Sequence, residues 1–305
     1  MHTISLSDGV AEVEVVPSLG AGLASYDLVS HGRREPLMRP CRDLSRATPF
    51  DLANILLVPW SNRISGGGFA FGGRFHPLRP NLVDEPLPIH GNGFSSAWNT
   101  VEASDVSACL TLDSNGPGPF KFVAAVRYAL EQGALRVALK VTNHGPDTLP
   151  FGLGLHPWFP RTPGTTLQAR AAVVTLEDRL HLPNGQIAVA SREDWNFAAH
   201  RGLPDRWINN DFSPWDGHAE IIWSDRGLRL GIEAEGALSA YILYSPASDA
   251  DFFCFEPVTH LVDAHNRAGG PEANGLALLD HGDELAIACR FVPTPLSNST
   301  SGADA

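Results

Sequence analysis

Apolar residues recur at every second position along most of this chain, and no helix-length apolar stripe stands beside them. Near the N-terminus Val10, Glu12 and Glu14 fall on one side, and Ala11, Val13 and Val15 on the other. Successive side chains of a strand point to opposite faces, so this period predicts half-buried strands. Phe69, Phe71 and Phe75 flank Gly72-Gly73, which predicts a hairpin over residues 66–78. Residues 121–145 read as two strands about Gln132-Gly133, and residues 217–236 as a pair turning at Asp225-Arg226-Gly227. Further strands are predicted over 238–246, 251–260 and 284–293. Helical signals are confined to short pieces near 48–60 and 191–202. The expected class is all-β: antiparallel strands in two stacked sheets.

Composition agrees. The 305 residues include 29 Gly and 24 Pro, which suit short strands joined by turns, and 43% are hydrophobic, enough for a sizeable core. Strands recur at similar density on both sides of every Pro/Gly cluster, so a single domain is expected over 1–292. The tail 293–305 is rich in Ser, Thr, Pro and Gly and is expected to be disordered. Its Asn298-Ser299-Thr300 sequon reads as chance, since the N-terminus lacks a secretory pattern.

The net charge of −12, with no basic stripe, argues against nucleic acid and anionic membrane surfaces as partners. No apolar run approaches the roughly 18 residues of a membrane span. Cys41, Cys109, Cys254 and Cys289 form no CxxC pair, so free thiols in a reducing cytoplasm are the default.

Five segments place ionisable residues in apolar surroundings. Asn62-Arg63 follows Val58-Pro59-Trp60; an Arg fork suits hydroxyls and carboxylates, and equally a surface loop. His90 precedes Gly91-Asn92-Gly93, where a backbone can approach a ligand closely; Trp98 nearby is a stacking face or a core residue. His156 lies among Phe151, Leu153, Leu155, Trp158 and Phe159, as a bonded core histidine or a functional one. Glu256 ends the run Phe252-Phe253-Cys254-Phe255. Burial there would raise its pKa toward the range of a general base, unless it is a structural ion-pair partner. Asp211 and Asp216 sit with Trp207 and Trp215 in what Asn209-Asn210-Asp211 marks as a loop.

In order and spacing these pieces resemble the aldose 1-epimerase (galactose mutarotase) family, in its divergent bacterial branch. The matching stretches are Asn62-Arg63-Ile64, the Gly-Phe-x-Phe-x-Gly hairpin, Ile89-His90-Gly91, His156-Pro157-x-Phe159, Asp211-Phe212 and Phe255-Glu256-Pro257. Two departures stand out. The family's His-Gly-Gly is His90-Gly91-Asn92, and its Asn-His-x-Tyr-Phe is Leu155-His156-Pro157-Trp158-Phe159.

The resemblance implies a β-supersandwich with an open cleft and interconversion of the α and β anomers of a free aldose without a cofactor. It implies Glu256 as general base at the C1 hydroxyl, His156 as general acid at the ring oxygen, and His90 beside that oxygen. Arg63, Asp211 and Asn62 would hold sugar hydroxyls. The substrate is expected to be a small sugar, neutral or carrying a phosphate or other anion. A phosphate would call on Arg63, Arg74 and Arg79. A glycosidase would need two carboxylates, Glu256 and Asp211, leaving two histidines without a role. A non-catalytic sugar-binding protein would not need the acid–base trio. His260, Asp263 and His265 offer metal ligands, but not in a standard zinc spacing, so no metal is expected.

Overall fold

The computed structural model describes residues 1–30 and 32–296. Among them the strands form an 11-stranded and a 9-stranded antiparallel sheet, with two two-stranded ribbons beside them. The fold is the expected β-supersandwich. Helix is limited to single 3-10 turns, including Pro49–Asp51 and Glu193–Trp195 within the two segments read as weakly helical.

The hairpins fall where turn chemistry put them. Phe122–Glu131 pairs with Ala134–Asn143 in a register set by Gln132-Gly133. Both turn residues have positive φ, 51° and 82°, as a two-residue turn matching strand twist requires. Gly68–Phe71 and Arg74–Pro77 pair about Gly72-Gly73. All four cysteines are free.

Two segments depart from expectation. The Asn209-Asn210-Asp211 loop is the strand Ile208–Ser213. Its apolar anchors, Ile208 and Phe212, are fully buried, and that burial outweighs the turn preference of the residues between them. The last strand, Glu284–Pro295, runs three residues into the expected tail, pairing Pro295 with Leu228. The sequon and the rest of residues 297–305 lie outside the described residues.

The larger sheet positions the site. Its middle runs, in spatial order, through Asn54–Leu57, Gly154–Pro160, Phe252–Val258, Ala240–Ser245 and Ile208–Ser213. Alternation divides each strand. Leu155, Phe159, Phe253 and Phe255 enter the main core, where Phe159 meets Phe291 of the smaller sheet at 6.4 Å between ring centroids. The intervening residues, His156, Trp158, Cys254 and Glu256, face the other way.

Candidate active site

Strand register brings the expected acid–base residues together. Gly154 pairs with Val258 and Trp158 with Cys254, which sets His156 directly across from Glu256 on one face. His156 Nε2 lies 3.4 Å from Glu256 Oε1. Both residues are almost completely buried at the floor of a cleft of about 330 Å³. His156 Nδ1 and Glu256 Oε2 have no hydrogen-bond partner in the protein. Buried polar atoms are seldom left so, and catalytic groups are among the exceptions.

Burial governs the protonation of this pair. It pushes the Glu256 carboxyl well above the usual carboxylate range, offset in part by the Arg63 charge. It pulls His156 down to about 3, with Arg39 adding in the same direction. Burial thus disfavours the charged form of each side chain.

His90 enters from a loop held by backbone strain and reciprocal bonds. His90 and Asn62 both have positive φ, 60° and 58°. Left-handed conformations of this kind cost about 1–3 kcal/mol each and persist where the surroundings enforce them. Here the Asn62 N–H donates to His90 Nδ1 at 3.0 Å, and the His90 N–H donates to the Asn62 carbonyl at 3.0 Å. The first bond makes Nδ1 an acceptor, so the ring proton sits on Nε2. The Asn81 side chain accepts from the Ile89 N–H and donates to the Ile89 and Gly91 carbonyls, each at 2.8 Å. Gly91, at φ 67°, passes so close to the Val58 carbonyl that a Cβ would sit 2.2 Å from its oxygen. Only glycine fits that approach. The two histidine rings end 5.5 Å apart, centroid to centroid. Burial, then the neighbouring His156 and Arg63, holds His90 well below the ordinary histidine range.

Five of the six residues singled out in the sequence line this cleft: Asn62, Arg63, His90, His156 and Glu256. Arg63 is braced by Glu85, through Nε at 3.1 Å and Nη2 at 2.7 Å. Asp211 does not line it. Its Oδ2 accepts from the Val262 N–H at 3.0 Å and lies 3.3 Å from Arg267, fastening the loop after Val258 onto the sheet. Two positions earlier on the same face, Asn209 takes the cleft wall instead. Asn209→Ala is expected to raise KM several-fold with kcat less affected, while Asp211→Asn is expected to lower the melting temperature with KM near wild type. Steady-state kinetics and thermal melts on both variants check this, and the reverse pattern would restore Asp211 as the sugar ligand.

Other readings resolve less favourably. Trp98 is a core residue whose indole N–H donates to the Gly93 carbonyl. Asp216 is exposed and accepts from the His218 N–H in a turn. Arg74 pairs with Asp147 and Arg79 is exposed; neither lines the cleft beside Arg63. His260 uses both ring nitrogens, accepting from the Ser61 N–H at 2.9 Å and meeting the Leu261 carbonyl at 2.8 Å. Asp263 holds Ser65 with both oxygens. That trio is loop architecture. Cys254 does come within 4.8 Å of the His156 and Glu256 ligand atoms. Burial pushes its thiol far up, however, away from the thiolate that a metal prefers.

Sequence reasoning passed over Phe50, His181, Tyr244 and Arg39, and noted Trp207 only beside Asp211 and Asn209 only as turn chemistry. Trp158 it noted only as part of an apolar run. The Trp158 ring stacks on His156 with centroids 4.0 Å apart, and Phe50 meets both rings edge-on. Glu177 organises the opposite wall, accepting from Trp207 Nε1 at 2.6 Å and Asn209 Nδ2 at 3.1 Å. The i, i+2 spacing of His156 and Trp158 was the signal available for the stacked face; the wall residues come from distant segments and carried none.

Comparison with known proteins follows the same lines. The family model for aldose 1-epimerase matches residues 2–291. The uncharacterised protein YphB of Escherichia coli K12 is 36% identical over 248 residues, covering 79% of this chain and 84% of its own. An E. coli K12 crystal structure, provisionally described as an aldose 1-epimerase, superposes with a TM-score of 0.89 at 30% identity, covering 97% of this chain and 99% of that one. A galactose 1-epimerase from Lactobacillus acidophilus NCFM shares the fold, with a TM-score of 0.75 at 18% identity over 95% of this chain and 92% of its own. This chain belongs to the aldose 1-epimerase family.

Proposed function

We propose that this protein is a mutarotase that interconverts the α and β anomers of a free aldose, with Glu256 and His156 as its acid–base couple. The observation that carries the reading is their cross-strand placement, 3.4 Å apart at the floor of the cleft. Glu256 takes the proton of the anomeric hydroxyl as C1=O1 forms. The C1–O5 bond breaks with its electrons on O5, which receives the proton of His156. Rotation about C1–C2 and the reverse transfers close the ring on the other face. Protons and electrons balance, and no redox partner is involved.

The buried environment suits this cycle. Ring opening converts carboxylate and imidazolium into carboxylic acid and imidazole. Those neutral forms are the ones burial favours here. The couple is thus tuned toward the open-chain sugar, the state nearest the barrier, while hydrogen bonds from an entering sugar favour the carboxylate in the ring-closed complex. His90 presents an Nε2–H donor beside the ring oxygen, and Arg63 and Asn62 hold hydroxyls. A glycosidase reading is weaker, because Glu256 is the only carboxylate lining the cleft among the described residues.

Polarimetry on a freshly dissolved single anomer tests the reading. The enzyme should speed the approach to the equilibrium rotation well beyond the spontaneous rate, and in D2O the C2 hydrogen should be retained. Release of an aryl group from an aryl glycoside, with no effect on free sugars, would favour the glycosidase instead.

A further inference from the structure

Arg39 is the charged cleft residue that the proposed chemistry leaves without a task. It reaches the cleft from the segment after Met38, ahead of Phe50 in the chain. Its guanidinium lies over two aromatic faces, 4.7 Å from the Phe252 centroid and 5.3 Å from that of Trp158. Nη2 donates to the Phe50 carbonyl at 2.7 Å. The group is therefore fixed in position by stacking and one main-chain bond, and its remaining donors are unclaimed among the described residues.

Its charge also lacks a direct ion pair. Arg63, the other cleft arginine, is neutralised by Glu85 at 2.7 Å. Arg39 has no carboxylate within ion-pair distance among the described residues. Asp251, which pairs with Arg42, and Asp51 act on it only at longer range. Glu256 is the sole carboxylate of the lining, and it sits against His156. In a protein of net charge −12, Arg39 is thus the cleft guanidinium with no direct ion pair among the described residues. Ordered, half-buried and stacked, a guanidinium of this kind is suited to a carboxylate or phosphate, which it can grip through two parallel bonds.

Position sets which part of a sugar it meets. His156 and Trp158 are i and i+2 on one face, about 7 Å apart along the strand. Arg39 stands over the Trp158 ring, which in turn stacks on His156. A sugar with C1 and O5 at His156 and Glu256, its ring passing Trp158, brings a substituent remote from C1 to Arg39.

We infer that Arg39 is a specificity subsite for an acidic substituent, so that the preferred substrate is an aldose bearing a carboxylate or phosphate away from C1. This inference rests on the mutarotase reading. Exchange NMR on the full-length chain tests it with glucose, galactose, their uronates and their 6-phosphates, using wild type, Arg39→Gln and Arg39→Lys. The best acidic aldose should exceed its neutral counterpart by about tenfold or more in kcat/KM, in line with a charge-assisted contact. Arg39→Gln should collapse that ratio, and Arg39→Lys should retain part of it. The advantage should shrink as salt is raised. The uronate and 6-phosphate arms decide between carboxylate and phosphate. Equal or better turnover of neutral aldoses, or a ratio that Arg39→Gln leaves unmoved, overturns the inference and leaves the mutarotase reading standing. No acceleration of any aldose overturns both. Because the Arg39 stem also packs on Trp158 and Phe252, a poorly folded Arg39→Gln leaves the decision to Arg39→Lys and the salt series, where an unchanged ratio and no salt effect count against it.

Discussion

Glu256→Gln should remove nearly all anomer exchange and leave a protein at least as stable as wild type. A positioned acid or base contributes about 10²–10⁴-fold, and Glu256 takes part in both half-reactions, so a loss near the upper end is expected. The stability side follows from burial. The carboxyl is held well above its ordinary range, so the folded state keeps a proton that the unfolded chain has released. A carboxyl shifted in this direction gives stability that is full below the unfolded value near 4.5 and is lost as pH rises through the folded value. Glutamine is an isostere of the protonated form and carries no such loss. The variant's melting temperature relative to wild type should therefore climb as pH rises above the unfolded value near 4.5. Glu256→Gln that is both inactive and much less stable would instead mark Glu256 as a structural anchor.

Acidification should destabilise the fold sharply below about pH 6.5, through buried histidines acting together. Burial holds His156 and His265 down to about 3, His260 to about 4, and His90 well below its ordinary value. The unfolded chain takes up protons near pH 6.5 while the folded one does not. The unfolded state binds more protons in that window, so stability falls as pH falls. Glu256 works oppositely and cancels about one histidine, and the raised Asp211 carboxyl adds a smaller opposing effect toward pH 4. Three uncompensated histidines correspond to roughly 3 kcal/mol lost between pH 6.5 and 5.5. Urea unfolding at pH 7.5, 6.5 and 5.5 measures this as a falling midpoint at constant slope. A midpoint that does not move over that range would mean these rings accept protons in the folded state.

Much of this was legible in the sequence because strands alternate. The same period that predicted strands places His156 with Trp158, and Cys254 with Glu256, on one face. What local residues could not supply was register: nothing near Glu256 says that it faces His156, and only the family match brought them together. Asp211 illustrates the limit. It shares a face with Asn209, and the choice between them as cleft wall depends on where the loop carrying Val262 and Arg267 lands. The strand around it was hidden because Asn209-Asn210-Asp211 has turn chemistry, while the evidence for burial lay one residue to either side. Arg39 was invisible for a different reason. Its partners are aromatic faces and a carbonyl contributed by remote segments, and an arginine within Met38-Arg39-Pro40 carries no local mark of that destination.

The central claim is that His156 and Glu256 together move the protons of ring opening. Two-dimensional exchange NMR at anomeric equilibrium addresses it most directly, because it reads interconversion without any coupled step. Wild type should produce cross peaks between the α and β resonances of a substrate aldose, growing with enzyme concentration. Folded Glu256→Gln and His156→Asn should produce none above the enzyme-free sample. Cross peaks of wild-type intensity with either variant would contradict the account.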